Sequence, residues 1–138
     1  MMWDVNWIAV VVGTIVGMVV GMIWFSPFGF GNLWMRLSGI TQKQVEGAKK
    51  KGMAAQYFWQ IAGTLVMTYV LAIFIKNLGL MTLEGGAIAG FWIWLGFIAT
   101  TSLTSVLWEG KSFKLYLFNN AQRLVHLLIV GALIGFWG

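Results

Sequence analysis

Four apolar stretches, each about 20 residues long, constrain this chain more than any other feature of its sequence. Each is long enough to cross the hydrocarbon core of a bilayer, about 30 Å thick, as an α-helix. They cover approximately residues 5–25, 54–75, 86–107 and 115–137. Charged residues make up only 9% of the chain, against roughly a quarter in an ordinary soluble domain. The sequence therefore excludes a water-soluble monomer and predicts an all-α, integral membrane four-helix bundle that forms one domain over residues 1–138.

The positions of the basic residues predict the orientation of this bundle. The long connection 26–53 contains five Lys and Arg residues and the turn after the third span contains two, whereas the second connection contains Lys76 alone. The first and third connections lie on the same side of a four-span protein. Because Lys and Arg are enriched in cytoplasmic loops, we expect both basic connections in the cytoplasm and both termini outside.

A short amphipathic helix is predicted within the long connection. Thr41 and Gln44 have the spacing of a capping box, which predicts a helix from Gln42 to about Lys51. Its last residues, Lys49, Lys50 and Lys51, would lie near the lipid headgroups, where basic residues are attracted to anionic lipid. Two interpretations remain: a signal for topology, or docking of a specific lipid or partner. Since the net charge of +5 lies in loops beside apolar spans, anionic lipid is favoured over nucleic acid as the partner.

The chain is expected to turn sharply after the first span. Proline ends a helix, glycines permit a tight return, and aromatic side chains anchor at the membrane interface. This interfacial corner is predicted to be a structural turn or the rim of a lipid or ligand site. Its residues are Trp24, Ser26, Pro27, Phe30, Gly31 and Trp34.

Glycines repeat every four residues on three of the spans, counting Gly86 and Gly90 in the third, and such a repeat lets another helix approach closely in lipid. Either the four helices pack closely within one chain, or these faces form a subunit interface. A bundle this small has little interior, so a homo-oligomer is expected. The glycines concerned are Gly13, Gly17 and Gly21 in the first span and Gly131 and Gly135 in the fourth.

Polar residues at membrane depth are costly and are the best pointers to a function. We expect a polar seam between the second, third and fourth spans, with a Glu109–Arg123 ion pair at its cytoplasmic end. The only histidine, His126, is expected to hydrogen-bond to Gln60 or to a hydroxyl of the third span. The candidate residues of the seam are Gln60, Thr64, Ser105, Glu109, Asn119, Arg123 and His126.

The spans contain few residues of the types that act in catalysis. The chain has no cysteine and one histidine, and no deep carboxylate stands beside a serine to activate it. We therefore expect no catalytic residues, metal or cofactor. The leading hypothesis is a non-enzymatic protein, acting as a homo-oligomer in assembly, lipid binding or binding of a small hydrophobic ligand. The alternatives are a minimal transporter or channel subunit for an anionic or neutral small solute and, third, a membrane-embedded enzyme.

Several short signatures occur in a fixed order along the chain. They are Asn6–Val10, Trp24–Pro27, Phe30–Trp34, Trp94–Phe97, Leu107–Lys111 and Leu117–Ala121. Their order and spacing resemble the bacterial family Domain of Unknown Function 1761, small membrane proteins with four spans. The resemblance covers nearly the whole chain and implies an oligomeric four-helix bundle in the bacterial cytoplasmic (inner) membrane. It implies no activity for any residue.

Overall fold

A computed structural model of the chain describes residues 3–26 and 29–137. Its described residues form helices and no strands, which confirms the all-α prediction. The helices are α1 Trp7–Trp24, α2 Gly31–Ser38, α3 Gln42–Lys51, α4 Ala54–Asn77, α5 Leu83–Ile93, α6 Thr100–Ser102, α7 Thr104–Leu107 and α8 Phe113–Trp137, with a π-helical segment Trp94–Ala99 between α5 and α6.

Four of these elements are long and apolar enough to cross a membrane. Span 1 is α1, span 2 is α4, span 3 is the irregular helix Leu83–Leu107, and span 4 is α8. Span 3 begins three residues before its predicted start because Thr82 caps it, accepting from Gly85 N at 2.8 Å. The Asn6 side chain likewise caps span 1, accepting from Ile8 N at 3.1 Å. Polar caps, rather than the hydrophobic runs alone, therefore set these helix starts.

The connection between spans 1 and 2 contains two short helices. The predicted helix α3 is confirmed, including its capping box: Thr41 N donates to Gln44 Oε1 at 2.8 Å and Gln44 N donates to Thr41 Oγ1 at 3.2 Å. No residue of α3 is buried, and its C-terminal lysines are exposed. Helix α2 was not predicted from the sequence. It ends at Gly39, whose φ of 77° favours glycine.

One half of the bundle is closely packed. This closed half contains the starts of spans 1 and 3 and the ends of spans 2 and 4. A Cβ atom on Gly86 would overlap the carbonyl oxygen of Gly131 and lie 2.7 Å from its carbonyl carbon. A Cβ atom on Gly135 would lie 3.0 Å from Gly86 Cα. Spans 3 and 4 therefore touch backbone to backbone, and the core beside them consists of Ala9, Val10, Leu71, Ala72, Ile75, Ala89, Leu127, Val130 and Ile134.

The glycines of span 1 also face other spans of the same chain. A Cβ atom on Gly13 would lie 3.0 Å from Thr68 Cγ2 of span 2, and one on Gly21 would lie 3.7 Å from Gln122 Nε2 of span 4. Gly17, between them, lies directly against the His126 ring. The five glycines singled out in the sequence thus make close contacts within the chain, as the intramolecular interpretation requires.

Candidate functional site

The other half of the bundle is open and contains a large cavity. This open half holds the ends of spans 1 and 3 and the starts of spans 2 and 4, next to the basic connections. Its main cavity has a volume of about 780 Å³. The polar side chains that line it are Tyr57, Gln60, Thr64, Thr101, Ser102, Asn119, Gln122, Arg123 and His126, and the larger apolar ones are Met18, Met22, Phe25, Met67, Ile98 and Leu127. The cavity is therefore amphipathic.

A smaller side cavity of about 240 Å³ adjoins the main cavity between spans 3 and 4. Its lining is mostly polar and includes Thr104, Ser105, Glu109 and Lys111. Four residues line both cavities and so form the junction between them. They are Thr101, Ser102, Asn119 and Arg123.

The inner end of the main cavity is formed by His126. Its side chain is 8% exposed and lies against span 1, where a Cβ atom on Gly17 would be 2.8 Å from His126 Nε2. This Nε2 atom is buried and has no hydrogen-bond partner among the described residues. The predicted bond to Gln60 is not formed, because Gln60 Nε2 donates at 3.3 Å to Thr64 Oγ1, one turn along its own helix. Glycine at position 17 is therefore what makes room for the imidazole.

Arg123 lies at the junction of the two cavities and is exposed. The predicted Glu109–Arg123 ion pair is not formed among the described residues. Instead, Glu109 Oε2 lies 4.0 Å from Lys111 Nζ, its near neighbour in the turn between spans 3 and 4. Both of these charged groups are more than half exposed. Glu109, the acidic residue of the side cavity, thus pairs with Lys111. The guanidinium of Arg123 forms no ion pair with the other described residues.

Span 3 is irregular where it borders both cavities. The π-helical segment Trp94–Ala99 is followed by a break at Leu103, whose N–H bonds to Thr100 O at 3.3 Å. π-Helical segments within α-helices are frequent at functional sites. The hydroxyl of Tyr116 in span 4 donates to the carbonyl oxygen of Ala99 at 2.6 Å. Span 4 therefore supports the irregular segment by side-chain hydrogen bonds.

Asn120 is the centre of this support, and sequence reasoning did not single it out. It is 3% exposed, and its carbonyl oxygen accepts from Trp94 Nε1 at 2.8 Å. Its side-chain oxygen accepts from Ser102 Oγ at 2.9 Å, while its amide donates to Tyr116 O at 2.8 Å. The adjacent Asn119 was chosen for the polar seam because it lies one helical turn before Arg123. Only the trajectory of span 3 distinguishes the two asparagines.

Replacing Asn120 with alanine is expected to destabilise the bundle. The change removes the side chain that contacts Ser102 Oγ, but this hydroxyl also bonds to Ile98 O, so we expect the loss of about one net hydrogen bond, roughly 0.5–1.5 kcal/mol. Thermal unfolding of the purified protein in detergent measures the effect. The matched control is Asn119→Ala, because the Asn119 side chain makes no hydrogen bond to the other described residues. Equal melting temperatures for the two variants would show that the Ser102–Asn120 contact does not stabilise the fold.

The interfacial corner forms an aromatic cluster beside the open half. Trp24 and Phe30 have ring centroids 4.7 Å apart, and Phe118 of span 4 lies 5.7 Å from Trp24. Ser26 holds the turn, since its hydroxyl donates to Ile23 O at 2.8 Å. A Cβ atom on Gly31 would overlap the carbonyl oxygen of Phe25 and lie 2.8 Å from that of Ser26, so glycine is required there. Trp34 packs edge-on to Phe25, at 5.6 Å, and Pro27 lies outside the described residues.

The candidate residues of the polar seam all line one of the two cavities, although they do not form one continuous network. Gln60, Thr64 and His126 line the main cavity, and Ser105 and Glu109 line the side cavity. Asn119 and Arg123 belong to both. Gln122, Tyr57 and the methionines of span 1 complete the site and were not predicted. Lys49, Lys50 and Lys51 line neither cavity.

The fold and the site together define a class of protein: a small multi-pass membrane protein with a ligand-sized cavity between its spans. The chain belongs to the family described as Protein of unknown function (DUF1761), whose model matches residues 8–135. This match confirms the family resemblance that was based on the short signatures. No curated protein and no solved structure matches the chain.

Proposed function

We propose that this protein is a non-enzymatic membrane protein that binds a small amphipathic molecule in its main cavity. One observation carries the proposal: the cavity combines apolar and polar side chains, and its lining includes the buried His126. Its volume of about 780 Å³ is within the range of roughly 300–1,000 Å³ typical of small-molecule sites. Three methionines in its wall, Met18, Met22 and Met67, suit an apolar ligand because their side chains adapt to different shapes.

The alternative is a minimal transporter or channel subunit for an anionic or neutral small solute. Transport requires a passage through the closed half. There, Val10, Ile75 and Ile134 are at most 2% exposed, and the backbones of Gly86 and Gly131 are in contact. The pocket described at that end, beside Lys76 and Ile134, has a volume of only about 10 Å³. The packing of the closed half therefore favours binding over transport.

The location and assembly that we propose rest on the basic residues and on the exposed apolar surface. The exposed lysines of α3 directly precede span 2, which supports contact with anionic lipid headgroups on the cytoplasmic face. Both termini would then lie outside the bacterial cytoplasmic membrane. Homo-oligomerisation stays a prediction. Only 17% of the most apolar 18-residue window of span 3 is buried within the chain, which leaves surface for lipid or for a second copy.

Filling the main cavity is expected to weaken binding strongly without unfolding the protein. Gly21 lines the cavity, and its nearest neighbour would be 3.7 Å from a new Cβ atom, so Gly21→Leu is tolerated. A leucine side chain occupies the space of about four carbon atoms of the ligand, or roughly 3 kcal/mol at ~0.8 kcal/mol per buried CH₂. We expect binding of a monoacylglycerol, measured by native mass spectrometry, to weaken by about a hundredfold.

The matched control is Gly63→Leu in span 2. Gly63 is exposed, and a Cβ atom there would meet nothing within 4 Å. This variant adds the same side chain to a membrane span but leaves the cavity open, so its monoacylglycerol binding should equal that of the wild type. Equal binding by Gly21→Leu and Gly63→Leu would refute binding in the cavity. Flux of a solute across liposomes that Gly21→Leu abolishes would favour the transporter instead.

A further inference from the structure

We propose that the ligand of the main cavity is a single-chain anionic amphiphile whose acid group binds Arg123 at the junction of the two cavities. This inference rests on the proposed function and specifies the substrate class of the same site. The chain of the amphiphile would occupy the main cavity, and its headgroup would extend into the side cavity.

The charge balance of the site requires an anion. Arg123 is always protonated and lines both cavities, yet no carboxylate forms an ion pair with it among the described residues. Glu109, the acidic residue of the side cavity, pairs with Lys111. The two cavities together therefore carry one unmatched positive charge from Arg123. Because a charged group near membrane depth is costly unless paired, an acid group of opposite charge is the ligand feature that this residue favours.

A second hydrogen-bonding group lies beside Arg123. Asn119 is one helical turn earlier on span 4, about 6 Å along the axis, and lines the same two cavities. Its amide makes no hydrogen bond to the other described residues. By contrast, the hydroxyl of Thr101 at the same junction already donates to Phe97 O. Asn119 and Arg123 thus both line the junction, with donors that no other described residue uses, and an acid group can accept from such donors.

The dimensions of the cavities indicate one chain rather than two. At roughly 30 Å³ for each water-sized group, a chain of about 16 carbons occupies about 480 Å³ and two such chains about 960 Å³. The volume of the main cavity, about 780 Å³, exceeds the first value and falls short of the second. The side cavity adds about 240 Å³ beyond Arg123 and is lined by the hydroxyls of Thr104 and Ser105. It has room for a polar headgroup larger than a carboxylate.

The test compares four probes on the wild-type protein in neutral detergent: lysophosphatidylglycerol, oleate, zwitterionic lysophosphatidylcholine and monoacylglycerol. Native mass spectrometry gives the affinity of each. We expect at least one anionic probe to bind about tenfold or more tightly than lysophosphatidylcholine and monoacylglycerol, neither of which has a net charge, since a hydrogen bond to a charged group adds 1.5 kcal/mol or more. A preference for lysophosphatidylglycerol identifies a phosphate headgroup as the natural source, and a preference for oleate identifies a carboxylate.

Arg123→Gln is expected to abolish the preference for anions, so that the ratio of anionic-probe affinity to monoacylglycerol affinity falls to about one. The matched control is Arg36→Gln, which removes the same charge from exposed helix α2, outside both cavities, and should retain the preference. Asn119→Asp places a carboxylate at the junction and should also weaken anion binding. Equal affinity of the wild type for anionic and uncharged probes overturns this inference but not the proposed function. Failure of all four probes to bind overturns both.

Discussion

Replacing Gly86 with alanine is expected to destabilise this protein more than any other single methyl addition. The new Cβ atom would overlap the carbonyl oxygen of Gly131 and lie 3.1 Å from Gly135 Cα, and both of these neighbours are backbone atoms of span 4. Backbone cannot rotate away as a side chain can, so spans 3 and 4 must separate. We expect a loss of about 3 kcal/mol or more, at the upper end of the range for overpacked cores. Unfolding in mixed micelles with increasing dodecyl sulfate measures this loss.

The control for this prediction is Gly96→Ala in the same span. A Cβ atom on Gly96 would meet nothing within 4 Å, and the residue is exposed. Alanine is favoured over glycine in helices by up to about 1 kcal/mol, so this variant should be as stable as the wild type or more so. If Gly86→Ala unfolds at the same dodecyl sulfate fraction as Gly96→Ala, the close contact between spans 3 and 4 is not as described.

The second large effect is expected at Gly17, where alanine would collide with the His126 ring. The added Cβ atom would overlap Cε1 and lie 2.8 Å from Nε2. We expect Gly17→Ala to lower the free energy of unfolding by about 1–3 kcal/mol. His126→Ala removes the ring, so the alanine at position 17 should cost little in that background. A double-mutant cycle of the unfolding free energies measures this coupling between spans 1 and 4.

Two results would contradict this account of Gly17. One is strict additivity of Gly17→Ala and His126→Ala, which would show that the two residues are not in contact. The other is an equal loss of stability in Gly21→Ala, one turn away, where the nearest atom would be 3.7 Å from the new Cβ. The cycle therefore tests the position of the inner end of the cavity independently of any ligand.

The spans and helix α3 could be predicted because their signals are local. An apolar run of about 20 residues has one stable form in a bilayer, an α-helix. Thr41 and Gln44 satisfy each other's backbone amides whatever the rest of the chain does, so the capping box specifies its own helix. The glycines of spans 1 and 4 were likewise visible as helix-packing residues, although the sequence left open which helices they contact.

The partners of the polar residues could not be predicted, because they depend on where a neighbouring span lies. Gln60 was expected to reach His126 but bonds to Thr64 on its own helix, a local competitor that is always within reach. Glu109 was expected to reach Arg123, yet Lys111 is two residues away and carries the same charge. The break at Leu103 is not marked by a proline in the sequence. It directly follows Ser102, the residue of span 3 that contacts Asn120.

The cavity itself leaves only an indirect trace in the sequence. Met18 and Met22 are compatible with lipid contact, with a packed core or with a ligand site, and only the structure shows that they line a cavity. At this end of the bundle, Phe118 of span 4 packs against Trp24 and Phe30 of the corner.

The central claim, that the main cavity binds the chain of an amphiphile, is tested most directly by a structure with a single-chain anionic lipid brominated along its chain. Bromine scatters anomalously, so its position can be located independently of the protein. The account predicts an anomalous peak between spans 1, 2 and 4, enclosed by Met18, Met22 and Met67, with the headgroup at Arg123. Bromine density only on the outer, lipid-facing surface of the spans, with an unfilled cavity, would contradict it.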